Sequence, residues 1–123
     1  MIQRPRILVA EDDEDIRQDL ITLLETQGLE AVGARNGAEA LALLEKAPFS
    51  VVLLDLMMPV MDGWAFRQAQ RSRPELAAVP VVILSGAADA RQAAAALGVA
   101  HCLVKPVGFD ALMAVIASFL PPP

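Results

Sequence analysis

The chain has 123 residues, 55% of them hydrophobic, and a formal net charge of −5 at pH 7, as expected of one ordinary domain with enough apolar residues for a core. The negative charge disfavours nucleic acid as a direct partner, and no apolar run approaches the ~20 residues that cross a bilayer. The single cysteine, Cys102, cannot form an internal disulfide, so we expect a reducing, cytoplasmic location.

Five apolar runs predict β-strands, and they alternate with segments of helical periodicity. The predicted strands cover residues 6–10, 29–34, 50–55, 79–85 and 101–104. The predicted helices cover residues 13–27, 36–46, 63–73, 89–97 and 109–120. Helix ends are indicated by Asn36, a residue type that caps helix N-termini, and by Gly28 and Gly98, a type common at helix C-termini.

This alternation predicts an α/β fold in which right-handed βαβ units build a parallel sheet with helices on both faces. Three of the predicted strands are continuous runs of Val, Ile and Leu, the pattern of strands that are buried on both sides. Ligands of such sheets bind beyond the carboxyl ends of the strands. The residues that end the strands are therefore the candidates for a functional site.

Polar residues follow four of the five strands: Glu11, Asp12, Asp13, Asp55, Ser85 and Lys105. Each has a purely structural interpretation. Acids in the first turn of a helix stabilise it by about 0.3–1 kcal/mol each, and Asp13, Glu14 and Asp15 are expected to do only that. Parallel strands would nevertheless bring all of the strand-end groups to one edge of the sheet, and their coincidence at successive strand ends favours a common site.

The chemistry of this set indicates a cation and a phosphoryl group. Two carboxylates about 4 Å apart repel each other by about 4 kcal/mol at an effective dielectric near 20, so Glu11, Asp12 and Asp55 need a cation if they cluster. A few oxygen ligands, with water completing the shell, are typical of Mg²⁺. Ser85 and Lys105 could then hold the oxygens of a phosphoryl group that a carboxylate accepts.

The chain resembles the receiver domains of two-component response regulators in four motifs: ILVAEDDEDIR (7–17), DLMMPVMDG (55–63), VVILSG (81–86) and LVKP (103–106). The resemblance implies a doubly wound, flavodoxin-like fold of five parallel strands in the order 2-1-3-4-5. It implies a cis peptide bond before Pro106. It also implies one receiver domain over residues 1–123, with a core at 6–120 and a Pro-rich tail or linker start at 121–123.

The resemblance also assigns roles to the site residues. Asp55 would be the phosphoacceptor, and Ser85 and Lys105 would hold the phosphoryl group. Mg²⁺ would be bound by Asp12, by Asp55 and by the main-chain carbonyl of Met57, while Glu11 would act through a metal-bound water.

The implied function is that of a switch in two-component signalling. The domain would take a phosphoryl group from a sensor histidine kinase or a histidine phosphotransfer protein and change conformation to control a partner or output domain. It would catalyse only its own phosphorylation and dephosphorylation, as a monomer or a phosphorylation-dependent dimer, in the cytoplasm and without contact to a membrane or to nucleic acid.

The sequence departs from the family at the face that usually relays the signal. Cys102 stands where family members commonly carry Tyr or Phe, next to His101, which is expected at the surface. The interval between Ser85 and Lys105 is slightly shorter than usual, with the loss expected within residues 86–90. These differences leave the chemistry intact and put the usual relay in question.

Three other classes of protein share parts of this pattern. A flavin carrier of the same fold would need a Gly-rich phosphate loop where EDDED stands, and a haloacid-dehalogenase-type phosphatase usually has Asp-x-Asp where this chain has DLM. The remaining alternative is a pseudo-receiver, which binds a partner without being phosphorylated. The complete set of acidic, hydroxyl and lysine residues weighs against it.

Overall fold

The computed structural model describes residues 4–86 and 90–121. Its strands are β1 (Arg6–Ala10), β2 (Glu30–Ala34), β3 (Val51–Asp55), β4 (Val81–Ser85) and β5 (His101–Val104). Its helices are α1 (Glu14–Thr26), α2 (Gly37–Lys46), α3 (Gly63–Arg71), α4 (Pro74–Ala77), α5 (Ala90–Ala96) and α6 (Phe109–Ala117). Across the two described ranges, no helix has the length and apolar character needed to cross a membrane.

The five strands form one parallel sheet in the order β2-β1-β3-β4-β5, which confirms the predicted fold and strand order. The chain first runs outward from β1 to β2 and then crosses back to β3, so the order reverses between β1 and β3. The crevice at such a reversal, beyond the carboxyl ends of the strands, is where ligands of doubly wound sheets bind. Glu11 and Asp55 lie at the carboxyl ends of these two strands.

The core consists of two apolar layers, one on each face of the sheet. Alternate residues of β3 divide between them, because successive side chains of a strand point to opposite faces. Helices α2, α3 and α5 cover one layer, and α1 and α6 cover the other. Every residue of β3 and β4 is buried, which explains why these strands are continuously apolar.

The two edge strands are less buried, which explains their weaker apolar patterns. On β5, His101 was expected at the surface, but it is half-buried and packs edge-on against Phe119, with ring centroids 5.3 Å apart. Cys102 is also half-buried and packs against the apolar layer under α5. The expected shortening within residues 86–90 and the predicted helix start at Asp89 fall largely on residues 87–89, which lie outside the described residues.

The short helix α4 was not predicted. Its Pro74 occupies the first turn, where a missing N–H costs nothing. The side-chain amide of Gln70 is fully buried and donates hydrogen bonds of 3.0 Å to the carbonyls of both Leu76 and Val79. These two hydrogen bonds connect α3 to α4 and to Val79, which follows α4.

Candidate functional site

Asp55 ends the buried strand β3 and is itself only 4% exposed. Its Oδ1 accepts a hydrogen bond of 3.2 Å from the Met57 N–H. The loop after Asp55 returns tightly, because the N–H of Gly63 donates to the Leu56 carbonyl at 3.1 Å. Asp62 then caps α3 by accepting from the Ala65 N–H at 2.8 Å. Strand and helix cap therefore fix both ends of the loop that presents the Asp55 carboxylate.

The acidic segment after β1 is held in a similar way. The Glu11 N–H donates to the Ala34 carbonyl at 3.0 Å, which extends the ladder with β2 by one residue. The Glu11 side chain is fully buried, and its Oε2 accepts from the Asp13 N–H at 3.2 Å. Asp13 caps α1 by accepting from the Ile16 N–H at 3.0 Å, the helix-capping role expected of it. Asp12, between them, is exposed.

The structure brings three of the predicted metal ligands together. One carboxylate oxygen each of Glu11, Asp12 and Asp55 lies within 4.8 Å of the other two. Three carboxylates with no nitrogen or sulfur donor, one of them open to water, suit a hard divalent ion that keeps part of its hydration shell. These residues fit Mg²⁺. Met57 also lines this cleft, and the residue is 78% exposed.

Lys105 enters the site from the end of β5. Its Nζ lies 2.5 Å from Oε1 of Glu11 and 3.4 Å from Oδ2 of Asp55. Its N–H donates to the Ser85 carbonyl at 2.9 Å, so the ends of β4 and β5 are joined beside the cleft. The peptide bond from Lys105 to Pro106 is cis, as the resemblance implied.

The ionisable groups of the site influence one another. Burial raises the pKa of Glu11, and the neighbouring carboxyl of Asp55 raises it further, while Lys105 partly opposes the shift. Burial by itself would lower the pKa of Lys105, but its hydrogen bond to Glu11 and the charge of Asp55 outweigh that effect and raise it. The site thus concentrates negative charge that a single ammonium only partly offsets.

All five predicted side chains line one open cleft of about 510 Å³ at the carboxyl edge of the sheet. Glu11, Asp55 and Ser85 are buried in its floor, whereas Asp12 is exposed at its mouth. The cleft has the size and charge to admit a small anion together with a divalent cation. Its lining offers carboxylates, a hydroxyl and an ammonium, which come from the ends of four strands.

One residue near the site was given no role by the sequence. Arg17 of α1 donates from Nη1 to the carbonyl of Glu11 at 2.9 Å and to the carbonyl of Asp12 at 3.4 Å. It is the only cationic residue within α1. That position, just after an acidic run, was the one sequence signal that could have pointed to it.

Comparisons with known proteins agree with this geometry. A family model described as the response regulator receiver domain matches residues 7–117. Over 121 residues the chain is 35% identical to a probable transcriptional regulator, ycf27, of Porphyridium aerugineum. That alignment covers 97% of this chain and 49% of the regulator. The fold is similar to that of the chemotaxis response regulator CheY4 of Vibrio cholerae, with a TM-score of 0.86, 32% identity and coverage of 96% and 100% of the two chains. A response regulator receiver protein from Pseudomonas putida is also similar, with a TM-score of 0.86, 30% identity and coverage of 96% and 99%.

The chain spans about half the length of curated relatives that match nearly all of it, with 48–49% of each relative covered. The similarity therefore concerns one module of those proteins. What the rest of each relative does is a property of that relative alone.

Proposed function

The chain belongs to the response regulator receiver domain family, the phosphoacceptor module of two-component signalling, and we propose that Asp55 is the residue that carries the phosphoryl group. The observation that carries the proposal is the convergence of the Glu11, Asp12 and Asp55 carboxylates, within 4.8 Å of one another, beside the Lys105 ammonium. Among the residues that line the described cleft, Asp55 is the buried carboxylate that lies between the other two carboxylates and the ammonium's strand end.

In the proposed reaction a carboxylate oxygen of Asp55 attacks the phosphorus of a phosphohistidine. A P–O bond forms, the P–N bond breaks, and the imidazole leaves with the electron pair of that bond. The Met57 N–H, already bonded to Oδ1, holds the carboxylate in place during the attack. The Ser85 hydroxyl and the Lys105 ammonium bind oxygens of the transferred group.

Glu11, Asp12 and Asp55, with the main-chain carbonyl of Met57, would hold Mg²⁺, Glu11 acting through a metal-bound water. The bound ion would supply positive charge that offsets the repulsion between the Asp55 carboxylate and the incoming phosphoryl group. The chain's own contribution is to orient the carboxylates and the ammonium. In this proposal the domain catalyses its own phosphorylation and dephosphorylation and no other reaction.

The proposed donor is a sensor histidine kinase or a histidine phosphotransfer protein, and the proposed recipient of the signal is a partner or an output domain. Residues 1–123 would form a single domain with its core at 6–120, acting in the cytoplasm as a monomer or a phosphorylation-dependent dimer. With a net charge of −5, it would make no direct contact with nucleic acid.

Incubation with a small P–N phosphodonor such as phosphoramidate, with and without Mg²⁺, tests this proposal. The intact mass should rise by one phosphoryl group in the presence of Mg²⁺, and the rise should disappear when Mg²⁺ is chelated. A folded protein whose mass does not change in Mg²⁺ would point to the pseudo-receiver instead.

A further inference from the structure

Arg17 reaches from α1 over the carboxyl end of β1 to the loop that carries two of the candidate metal ligands. One guanidinium nitrogen, Nη1, bonds the carbonyl oxygens of both Glu11 and Asp12. Charged donors make stronger hydrogen bonds than neutral ones, and the planar guanidinium can address two acceptors at once. We propose that Arg17 is a positioning residue that orients Glu11 and Asp12 towards Asp55 and thereby sets the affinity of the site for Mg²⁺. This proposal rests on the proposed function of the site.

The path of the Arg17 side chain depends on a glycine in the neighbouring strand. A β-carbon placed on Gly33 of β2 would lie 2.9 Å from Cδ of Arg17 and 3.1 Å from Cδ1 of Ile21. The missing side chain therefore leaves the groove through which the aliphatic part of Arg17 runs. The φ angle of Gly33 is not positive, so its backbone makes no demand for glycine. The close approach of Arg17 and Ile21 is the structural reason for a glycine here.

The charge of Arg17 and its hydrogen bonds act in opposite directions on metal binding. A positive charge close to the carboxylates repels a cation, so a role through charge alone means that removing Arg17 tightens Mg²⁺ binding. If Arg17 acts only by packing, its removal lowers the stability of the protein, and the folded protein binds Mg²⁺ as before. If Arg17 positions the loop that carries Glu11 and Asp12, its removal weakens Mg²⁺ binding. The sign of the change in affinity separates the three.

The experiment is calorimetric titration of Mg²⁺ into the wild-type chain, Arg17→Ala, Arg17→Lys and Lys46→Ala. Lys46, at the last residue of α2, provides a control with the same change in net charge. We expect Arg17→Ala to weaken Mg²⁺ binding roughly tenfold, the lower end of the range for residues that orient metal ligands. Arg17→Lys keeps the charge on a side chain whose nitrogen ends one bond short of Nη1, so its Mg²⁺ affinity should lie between those of Arg17→Ala and wild type. Lys46→Ala should match wild type.

Gly33→Ala tests the same idea without touching Arg17. The atoms that the new methyl group meets belong to the side chains of Arg17 and Ile21 and not to the main chain, so the fold should survive while the guanidinium is displaced. We expect Gly33→Ala to bind Mg²⁺ more weakly than wild type. The double variant Gly33→Ala, Arg17→Ala should bind Mg²⁺ no more weakly than Arg17→Ala alone, because the side chain that the methyl group displaces is then absent. Gly108→Ala, where a β-carbon would meet nothing within 4 Å, is the matched control.

Phosphorylation rates give a second measurement. If Arg17 positions the metal ligands, the rate in Arg17→Ala should approach the wild-type rate once Mg²⁺ is raised to saturation. Unchanged or tighter Mg²⁺ binding in folded Arg17→Ala would overturn the proposal. Failure of the wild-type chain to bind Mg²⁺ would instead refute the proposed metal site itself.

Discussion

Lys105 lies closer to Glu11 than to Asp55, with Nζ 2.5 Å from Oε1 of the first carboxylate and 3.4 Å from Oδ2 of the second. Both carboxylates are buried, and Lys105 is itself only partly exposed. The ammonium therefore partly offsets the charge of two acids that would otherwise face each other inside the protein. The shorter of its two contacts is with Glu11, and the carboxylate of Asp55 lies in the floor of the cleft.

Replacing Lys105 by Met should destabilise the metal-free protein. Glu11 and Asp55 would lose their common partner, and breaking a buried ion pair costs about 3–5 kcal/mol; we expect about 1–3 kcal/mol here because Lys105 is partly exposed. Urea unfolding in the presence of a chelator measures the loss, with Lys46→Met as the control. Added Mg²⁺ should restore more stability in the variant than in wild type. If Lys105→Met and wild type are equally stable without Mg²⁺, Lys105 does not stabilise the protein by pairing with Glu11 and Asp55.

Gly63→Ala should disturb the segment that ends in Asp55. A β-carbon at Gly63 would lie 2.6 Å from the Asp55 carbonyl oxygen and 2.8 Å from Cα of Leu56. Both atoms are main chain, so no side-chain rotation relieves the contact, and we expect a loss of about 1–3 kcal/mol in unfolding free energy. Phosphorylation should slow as well. Gly108→Ala meets no atom and should leave both properties nearly unchanged.

Val60→Gly should stabilise the protein. Val60 has a φ of 67° and is 87% exposed, so a β-branched residue occupies left-handed backbone without packing to support it. Such strain costs on the order of 1–3 kcal/mol, while the extra freedom of glycine in the unfolded chain takes back about 0.4–1 kcal/mol. We expect a net gain of about 1 kcal/mol in urea unfolding. A loss of stability would mean that the Val60 side chain makes a compensating contact.

Asp12→Ala and Asp15→Ala should differ sharply in Mg²⁺ binding. Asp12 contributes an oxygen to the carboxylate cluster, whereas Asp15 lies in the first turn of α1. We expect calorimetry to show binding weakened roughly tenfold or more by Asp12→Ala and little changed by Asp15→Ala. Equal losses would indicate a diffuse acidic field. Without Mg²⁺, Asp12→Ala should melt at a higher temperature than wild type, because one of three crowded carboxylates is gone.

The pattern of residues was sufficient to predict the parallel sheet and the group of residues at its edge. Continuous apolar runs that end in polar residues determine both which strands are buried and where each stops, so Glu11, Asp55 and Lys105 could be placed together before their distances were known. The strand order and the cis bond before Pro106 came from the family resemblance alone.

Other features depend on tertiary contacts that leave no periodic pattern. The four residues of α4 are too few to show helical periodicity, and the helix is held by the buried amide of Gln70. Arg17 contacts main-chain carbonyls, which every residue has, so no residue type in the sequence indicates these contacts. The space that Arg17 uses at Gly33 exists only once α1 packs on β2. The left-handed backbone at Val60 contradicts the preference of its residue type.

Trapping the phosphorylated residue by borohydride reduction is the most direct test of the account. An aspartyl phosphate is reduced to homoserine, so peptide mapping after phosphorylation in Mg²⁺ identifies the acceptor by position. We predict homoserine at position 55 in wild type, and neither homoserine nor a gain in mass in Asp55→Asn. Homoserine at position 12, or the longer alcohol 5-hydroxynorvaline at position 11, in place of homoserine at position 55 would contradict Asp55 as the phosphoacceptor, as would a gain in mass retained by Asp55→Asn.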